Sequence, residues 1–331
     1  MTGPPEQAGV AALRRPEFDV RISPPDLAAW IPGNIGLPGF SSFSAPRPGP
    51  HVAVIALTHG NEFAGAIVLD RLLGQGLRPL RGTLTLGFAN LAAFARFDPG
   101  QPTASRFIDE DLNRVWDRDV LDGPRETSEL LRARAMRPLI DSVDALLDLH
   151  SMLWPSDPLM LCGSSAKGLD LAERIAAPDL VVADHGHVSG RRLIDYGRFS
   201  DAHTGPVANL IEAGRHWLPE TISMTEQVTW SFLQQTGVVP RAQDGIRDAA
   251  VGGRRVAEVT HVVTAGSAAF TFVSAFRGGD VIARRNTLIA LDGTVEIRTP
   301  YDDCLLVMPS LRPSRGHTAV RLARLRPFRS G

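Results

Sequence analysis

Four short segments carry residue types that can do chemistry, and the first is Thr58-His59-Gly60-Asn61-Glu62. His59 and Glu62 stand three apart across a turn, so their side chains can converge on one point. An imidazole beside a carboxylate suits Zn2+, which accepts N and O donors and leaves positions for a third ligand and water. The same spacing also suits a plain turn, with Glu62 capping the next helix and His59 a polar surface residue. The second segment is Asp148-Leu149-His150-Ser151. His150 can complete a His2Glu set with an open water position, or simply hydrogen-bond at the rim of a sheet. Asp148 lies two residues earlier on the same strand face, where it either orients a ligand from behind or caps a loop.

The third segment is Arg106-Phe-Ile-Asp109-Glu110-Asp111-Leu112-Asn113-Arg114. Planar guanidinium groups hold carboxylates bidentately and can stabilise an oxyanion. Read by itself, however, the stretch is better taken as an exposed charged loop knitted by surface ion pairs. The fourth is Val207-Ala-Asn-Leu-Ile-Glu212-Ala-Gly214. Glu212 follows an apolar run, where an ionised side chain is costly without partners or a task. Near a metal it can take a proton from water and deliver one to a leaving amine; otherwise it is a strand-end residue facing solvent.

These segments sit where an α/β layer would put them. His51–Leu57 is a continuous apolar run of strand length, the pattern of a strand covered on both faces. Residues 62–73 read as a helix, as do 126–141, 168–176 and 219–236, the last starting behind Pro219. Strands are predicted at 83–90, 145–149, 159–162, 180–183 and 207–211. Strands alternating with helices indicate a largely parallel sheet, and ligands of such sheets lie at the carboxyl ends of the strands. Residues 1–50 are rich in Pro and Gly and read as an extended lead-in able to pair at a sheet edge. The catalytic layer is assigned to 51–240. After about residue 240, short β-like pieces at 256–263, 269–273, 281–283, 287–290 and 294–298 predict a smaller all-β domain over 245–331.

Composition excludes several classes. The 331 residues include 35 basic and 36 acidic side chains, a formal net charge of −1, which argues against a protein built to coat nucleic acid. Lys167 is the one lysine, so the dispersed arginines read as compositional bias, and the Arg-rich stretch from Arg312 to Arg329 as a solvated edge. Cys162 and Cys304 lack metal-site spacing and are too few for a disulfide framework, which fits a reducing compartment. With no apolar run of membrane-spanning length and no secretory signal pattern, the expectation is a cytoplasmic protein with no membrane partner. Gly278-Gly279 reads as a turn, His185 and His187 as loop residues, and His216-Trp217 as packing beneath the site.

Taken in order, His-Gly-Asn-Glu, the Arg106–Arg114 segment, Asp-Leu-His-Ser and Ile-Glu-Ala-Gly resemble the succinylglutamate desuccinylase/aspartoacylase family. The resemblance covers roughly residues 50–235 and continues through Asp280–Ala283 and Tyr301–Pro309. It implies a zinc carboxypeptidase-like α/β fold: a mostly parallel, mixed sheet flanked by helices, with a smaller C-terminal all-β domain. It implies that His59, Glu62 and His150 bind one Zn2+ per chain. By the same matching, Glu212 is general base and acid, Arg106 polarises the scissile carbonyl, and Asn113 and Arg114 hold the substrate's carboxylate. The implied reaction is hydrolysis of the amide of a small N-acyl amino acid or related acylated amine, by zinc-activated water. Aspartoacylases proper carry a further arginine upstream of the catalytic Glu. Here Asp201-Ala202-His203-Thr204 offers none and Arg198 is out of step, which argues against N-acetylaspartate. Two rivals share the motifs: a carboxypeptidase-like peptidase acting on a small peptide or cell-wall fragment, and a non-catalytic zinc- or ligand-binding module. The second needs neither Glu212 nor Arg106. A homo-oligomer is compatible with either reading.

Overall fold

The computed structural model describes residues 18–187, 189–241 and 254–326; the first 17 residues of the lead-in, 245–253 at the start of the expected C-terminal domain and the last three of the Arg-rich stretch lie outside the described residues. Strands β1 (Phe40–Ser44) and β2 (His51–Ala56) precede helix α1 (Ala64–Gly74), strand β3 (Thr83–Phe88) and the short helix α2 (Leu91–Phe94). Helices α3 (Arg118–Asp122) and α4 (Ser128–Ile140) lead to β4 (Ala145–Met152) and β5 (Leu159–Leu161). Then come α5 (Ala166–Arg174), β6 (Leu180–Ala183), α6 (Gly197–Ser200), β7 (Val207–Arg215) and α7 (Pro219–Gln235). The chain finishes with β8 (Arg255–Thr264), β9 (Phe270–Phe272), β10 (Val281–Ile282), β11 (Leu288–Asp292), β12 (Val295–Arg298), β13 (Cys304–Val307) and β14 (Thr318–Arg326).

Eleven strands form one mixed sheet in the order β1-β3-β2-β4-β7-β5-β6-β8-β14-β13-β10. β3, β2, β4 and β7 run parallel, as do β5, β6 and β8, while β5 meets β7 antiparallel. The lead-in does pair at an edge, through β1 against β3. The C-terminal strands extend the same sheet, because β8 pairs parallel with β6 and carries β14, β13 and β10 beyond it. β12, β11 and β9 make a separate small antiparallel sheet. β14 lies inside the large sheet, between β8 and β13, and Arg321 on it is 3% exposed. That corrects the reading of the Arg-rich stretch as a solvated edge at Arg321 alone, since Arg312, Arg315, Arg324 and Arg326 are exposed.

The continuous apolar runs of β2 and β4 are explained by cover on both faces. Every residue of β4 is buried. On one side of the sheet Leu69, Leu72, Val228 and Phe232 of α1 and α7 pack with Val54, Leu147 and Ile211. On the other, Leu130, Ala133 and Met136 of α4 pack with Ala53, Leu146 and Leu210. Gly65 lets α1 lie close on the sheet, since a Cβ there would stand 2.8 Å from the Leu149 Cβ. α7 begins with Pro219 in its first turn, where no N–H is needed. No helix among the described residues is long and apolar enough to cross a membrane.

Candidate active site

Strand register brings the distant motifs together. His150 on β4 pairs with Glu212 on β7, and partners on adjacent parallel strands share a face. β2 lies on the other side of β4, and its chain runs on through Leu57 into the His59–Glu62 turn. The chain leaves three strands through left-handed backbone on bulky residues: Leu57 after β2 (φ 59), Trp217 after β7 (φ 61) and Met308 after β13 (φ 50). Such conformations cost about 1–3 kcal/mol each and persist where surrounding packing dictates them, often at functional sites. All three border the same region. The turn also needs Gly60, because a Cβ there would come within 2.6 Å of the backbone of Ala93, Phe94 and Ser105. Trp217 fixes the turn from below, its Nε1 donating to Asn61 O at 2.9 Å.

His59, Glu62 and His150 are all buried, and each offers a ligand atom within 4.8 Å of the others. His59 Nδ1 lies 2.8 Å from Glu62 Oε1, and His150 Nδ1 lies 3.0 Å from Glu62 Oε2. Ligand atoms around a tetrahedral zinc stand roughly 3.3 Å apart, so the spacing is close to what a metal requires. His59 Nε2 lies 2.8 Å from Asp111 Oδ1 and 2.9 Å from Arg106 Nη2, while the buried Nδ1, on the side of Glu62, has no hydrogen-bond partner. Asp148 Oδ2 stands 2.9 Å from His150 Nε2 and Oδ1 accepts from Thr58 Oγ1 at 2.8 Å. Asp111 and Asp148 therefore orient the two imidazoles from behind.

The electrostatics favour a cation. Burial alone would raise the Glu62 carboxyl, but His59 and His150 hold it well below the usual carboxylate range. Burial opposes charge on His150, yet Asp148 and Glu62 overcome it and hold the imidazole well above its ordinary value. Asp111 is likewise held well below the usual carboxylate range, against burial, by His59 and Arg106, so the cluster keeps negative charge on Glu62 and Asp111 for a cation to meet. Glu212 is 7% exposed, its Oε2 has no hydrogen-bond partner, and burial together with the neighbouring Glu62 pushes it up to about 8. A base near neutrality is what proton transfer at physiological pH needs.

A cavity of about 210 Å3 opens on this cluster; its lining includes the polar Glu62, Arg106, Glu212 and His216 and the apolar Met152, Leu153, Trp154, Met308 and Pro309. Arg106 donates to Glu62 Oε1 at 2.8 Å and stands over the cluster, one-third exposed. Asn113 and Arg114, expected to hold a carboxylate, do not line the cavity. Asn113 Oδ1 accepts the Leu193 N–H at 2.8 Å, and Arg114 Nη1 donates to Asn113 O at 2.7 Å. His216 is more than packing, since it lines the cavity with Nδ1 2.7 Å from Ser151 Oγ. His187 and Arg321 line it too. His203 is exposed, and Arg198 borders a different groove. Cys162 is buried and its thiol is pushed up to about 12 by burial, which keeps it inert.

Glu129 is a contributor that motif reading passes over. It is 1% exposed at the start of α4, where Oε1 accepts from Ile108 N and Asn90 Nδ2 and Oε2 from Asp109 N and Glu110 N, at 2.6–3.2 Å. Asp109 accepts in turn from Ser128 N and Oγ, and Glu110 from Arg125 and Thr127. The Arg106–Arg114 segment is thus strapped to the α4 N-terminus, and Asp111 alone of its three carboxylates reaches the site. Glu129→Gln replaces one acceptor by an NH2 facing N–H donors. It is expected to cost about 2–4 kcal/mol of stability and about 10–100-fold in kcat/KM. Denaturant unfolding and steady-state rates check this; unchanged values in both would remove Glu129 from the supporting set.

A family model for the succinylglutamate desuccinylase/aspartoacylase catalytic domain matches residues 48–233, more than half of the chain. No curated protein sequence matches. Among solved structures, a succinylglutamate desuccinylase from Vibrio parahaemolyticus is similar with a TM-score of 0.64 at 16% identity, covering 89% of this chain and 88% of that one. One from Vibrio cholerae gives 0.66 at 15% identity, covering 87% and 85%. The ectoine utilization protein EutE (DoeB) from Ruegeria pomeroyi, solved with product bound, gives 0.59 at 16% identity, covering 86% and 88%. At such identities these likenesses show the shared fold, whereas the family match takes in Glu62, Arg106, Glu212 and His216 of the cavity lining, with Arg321 beyond it. This chain belongs to the succinylglutamate desuccinylase/aspartoacylase family.

Proposed function

We propose that the chain is a zinc-dependent deacylase that hydrolyses the amide bond of a small N-acyl amino acid or related acylated amine. The observation that supports it best is the placement of a buried His59-Glu62-His150 donor set beside the buried Glu212, on one small cavity. The donor set fits zinc in type and number, and His59 Nδ1 is a buried donor atom without another partner. A zinc ion held there supplies Lewis acidity, which brings water toward ionisation near neutral pH and polarises an amide carbonyl.

The chain's own residues do the rest. Glu212 takes a proton from the attacking water at its free Oε2 and later returns it to the amide nitrogen, so that the C–N bond breaks to a carboxylic acid and a free amine. Arg106, standing over the cluster, donates to the oxygen on which negative charge develops. Asp111 and Asp148 keep both imidazoles turned toward Glu62. Asn113 and Arg114 enter as braces of this wall. Trp154, Met152 and Met308 give the cavity apolar surface for the substrate's carbon skeleton.

The cavity volume lies below the several hundred Å3 usual for larger ligands, which favours a small acylated amine over a peptide or cell-wall fragment. Zinc-loaded protein incubated with a panel of N-acyl amino acids is expected to release free amine from at least one member. Release from peptides alone would transfer the site to the peptidase reading, and zinc binding without any turnover to a binding module.

A further inference from the structure

The C-terminal strand β14 delivers a second guanidinium to the cavity: like Arg114 it hydrogen-bonds no carboxylate, but unlike Arg114 it lines the cavity. Arg321 is 3% exposed and lines the cavity together with Glu212, His187 and Met308. The carboxylate beside it, Asp184, is 3.6 Å from its Nε, and that nitrogen has no hydrogen-bond partner. Asp184 is already committed, since its two oxygens accept from Arg192 Nη1 and Nη2 at 3.0 and 2.6 Å. Asp195 is committed to the same arginine, at 2.7 and 3.0 Å. Arg192 therefore holds two carboxylates and Arg321 hydrogen-bonds none. Arg321 Nη2 instead lies 3.0 and 2.7 Å from the ring nitrogens of His187, which is no counter-ion because burial and the nearby arginines hold it far below its ordinary value.

Arg192 is fully paired away from the cavity, and Arg114 is capped by a backbone carbonyl outside it. A buried guanidinium with no hydrogen-bonded carboxylate is costly unless an anion comes to it, and the open side of Arg321 is the substrate cavity. Apart from Arg106, which is engaged with Glu62, it is the arginine lining that cavity. We propose that Arg321 receives the carboxylate of the substrate, so that this hydrolase selects N-acyl compounds bearing a free carboxylate over their neutral analogues. This rests on the deacylase reading of the same cavity and names the group that sets its selectivity. The family pattern places carboxylate recognition on Asn113 and Arg114; in this chain those two brace the wall, and the cation facing the cavity comes from β14.

The test compares N-acetyl amino acids with their matching carboxamides, by amine release and by equilibrium binding, on zinc-loaded wild type, Arg321→Gln and Arg321→Lys. Wild type is expected to favour carboxylate over carboxamide by about 10–100-fold, the range of a charge-assisted pair. Arg321→Gln is expected to lose that preference while still processing the carboxamide, and Arg321→Lys, a point charge without the planar fork, to keep part of it. No preference in wild type overturns the proposal without recourse to a variant. Equal loss on both members with a shifted pH profile also overturns it, because Arg321 would then act through Glu212 rather than on substrate. If wild type hydrolyses neither member, the deacylase reading fails separately. Binding then decides on Arg321: a carboxylate preference abolished in Arg321→Gln sustains the proposal, and equal binding overturns it.

Discussion

Glu212→Gln is expected to retain stoichiometric zinc and to lose about 10²–10⁴-fold in turnover, the range of general acid–base catalysis. The substitution keeps shape and volume in a strand whose neighbours are all buried, so the sheet should be unaffected. What it removes is the ability to accept a proton. Burial and Glu62 push this carboxyl up to about 8, while His150, Arg106 and Arg321 pull it toward ionisation. A bound dication adds to that pull. Since only the ionised carboxylate can act as base, wild-type kcat/KM should rise with pH through the Glu212 pKa, below 8 in the zinc-loaded protein. The variant should lose that ascending limb. Full activity with an unchanged pH profile would take the proton-transfer role away from Glu212.

His150→Ala should lose the metal as well as the activity. Altering a residue that merely orients a ligand costs about 10–100-fold in metal affinity, so removing one of three ligands should cost more than that. The variant also strips the partner from Asp148, which is fully buried with Oδ2 2.9 Å from the ring. Breaking a buried charged pair costs about 3–5 kcal/mol, so unfolding must be followed beside metal analysis. A folded variant holding one zinc per chain would remove His150 from the ligand set.

Much of this arrangement is legible in the sequence, for identifiable reasons. β6 and the start of α7 match their predicted positions because a compact apolar run and a first-turn proline are local signals. Glu212 stands out as an ionisable residue within an apolar strand. The register that sets it beside His150 is not local and cannot be read from spacing. Glu129 looks like any acidic residue in a first helical turn, since its partners are backbone N–H groups of a loop about 20 residues earlier. Arg321 obeys the same rule as Glu212: it interrupts the apolar run Ala319-Val320-Arg321-Leu322-Ala323. The many arginines around it conceal the signal, and only its place between β8 and β13 shows that it faces inward. Asn113 and Arg114 illustrate the converse, for a motif can be present while its side chains serve the wall behind the cavity.

The central claim is that one zinc, held by His59, Glu62 and His150, makes this cavity a deacylase. Its most direct test is to strip the purified protein with a chelator and titrate zinc back while recording amine release from the best N-acyl amino acid of the panel. The expected result is negligible release without metal, then a rise that breaks at one equivalent per chain. Release that survives chelation, or no release at any zinc content despite a folded protein, would contradict it.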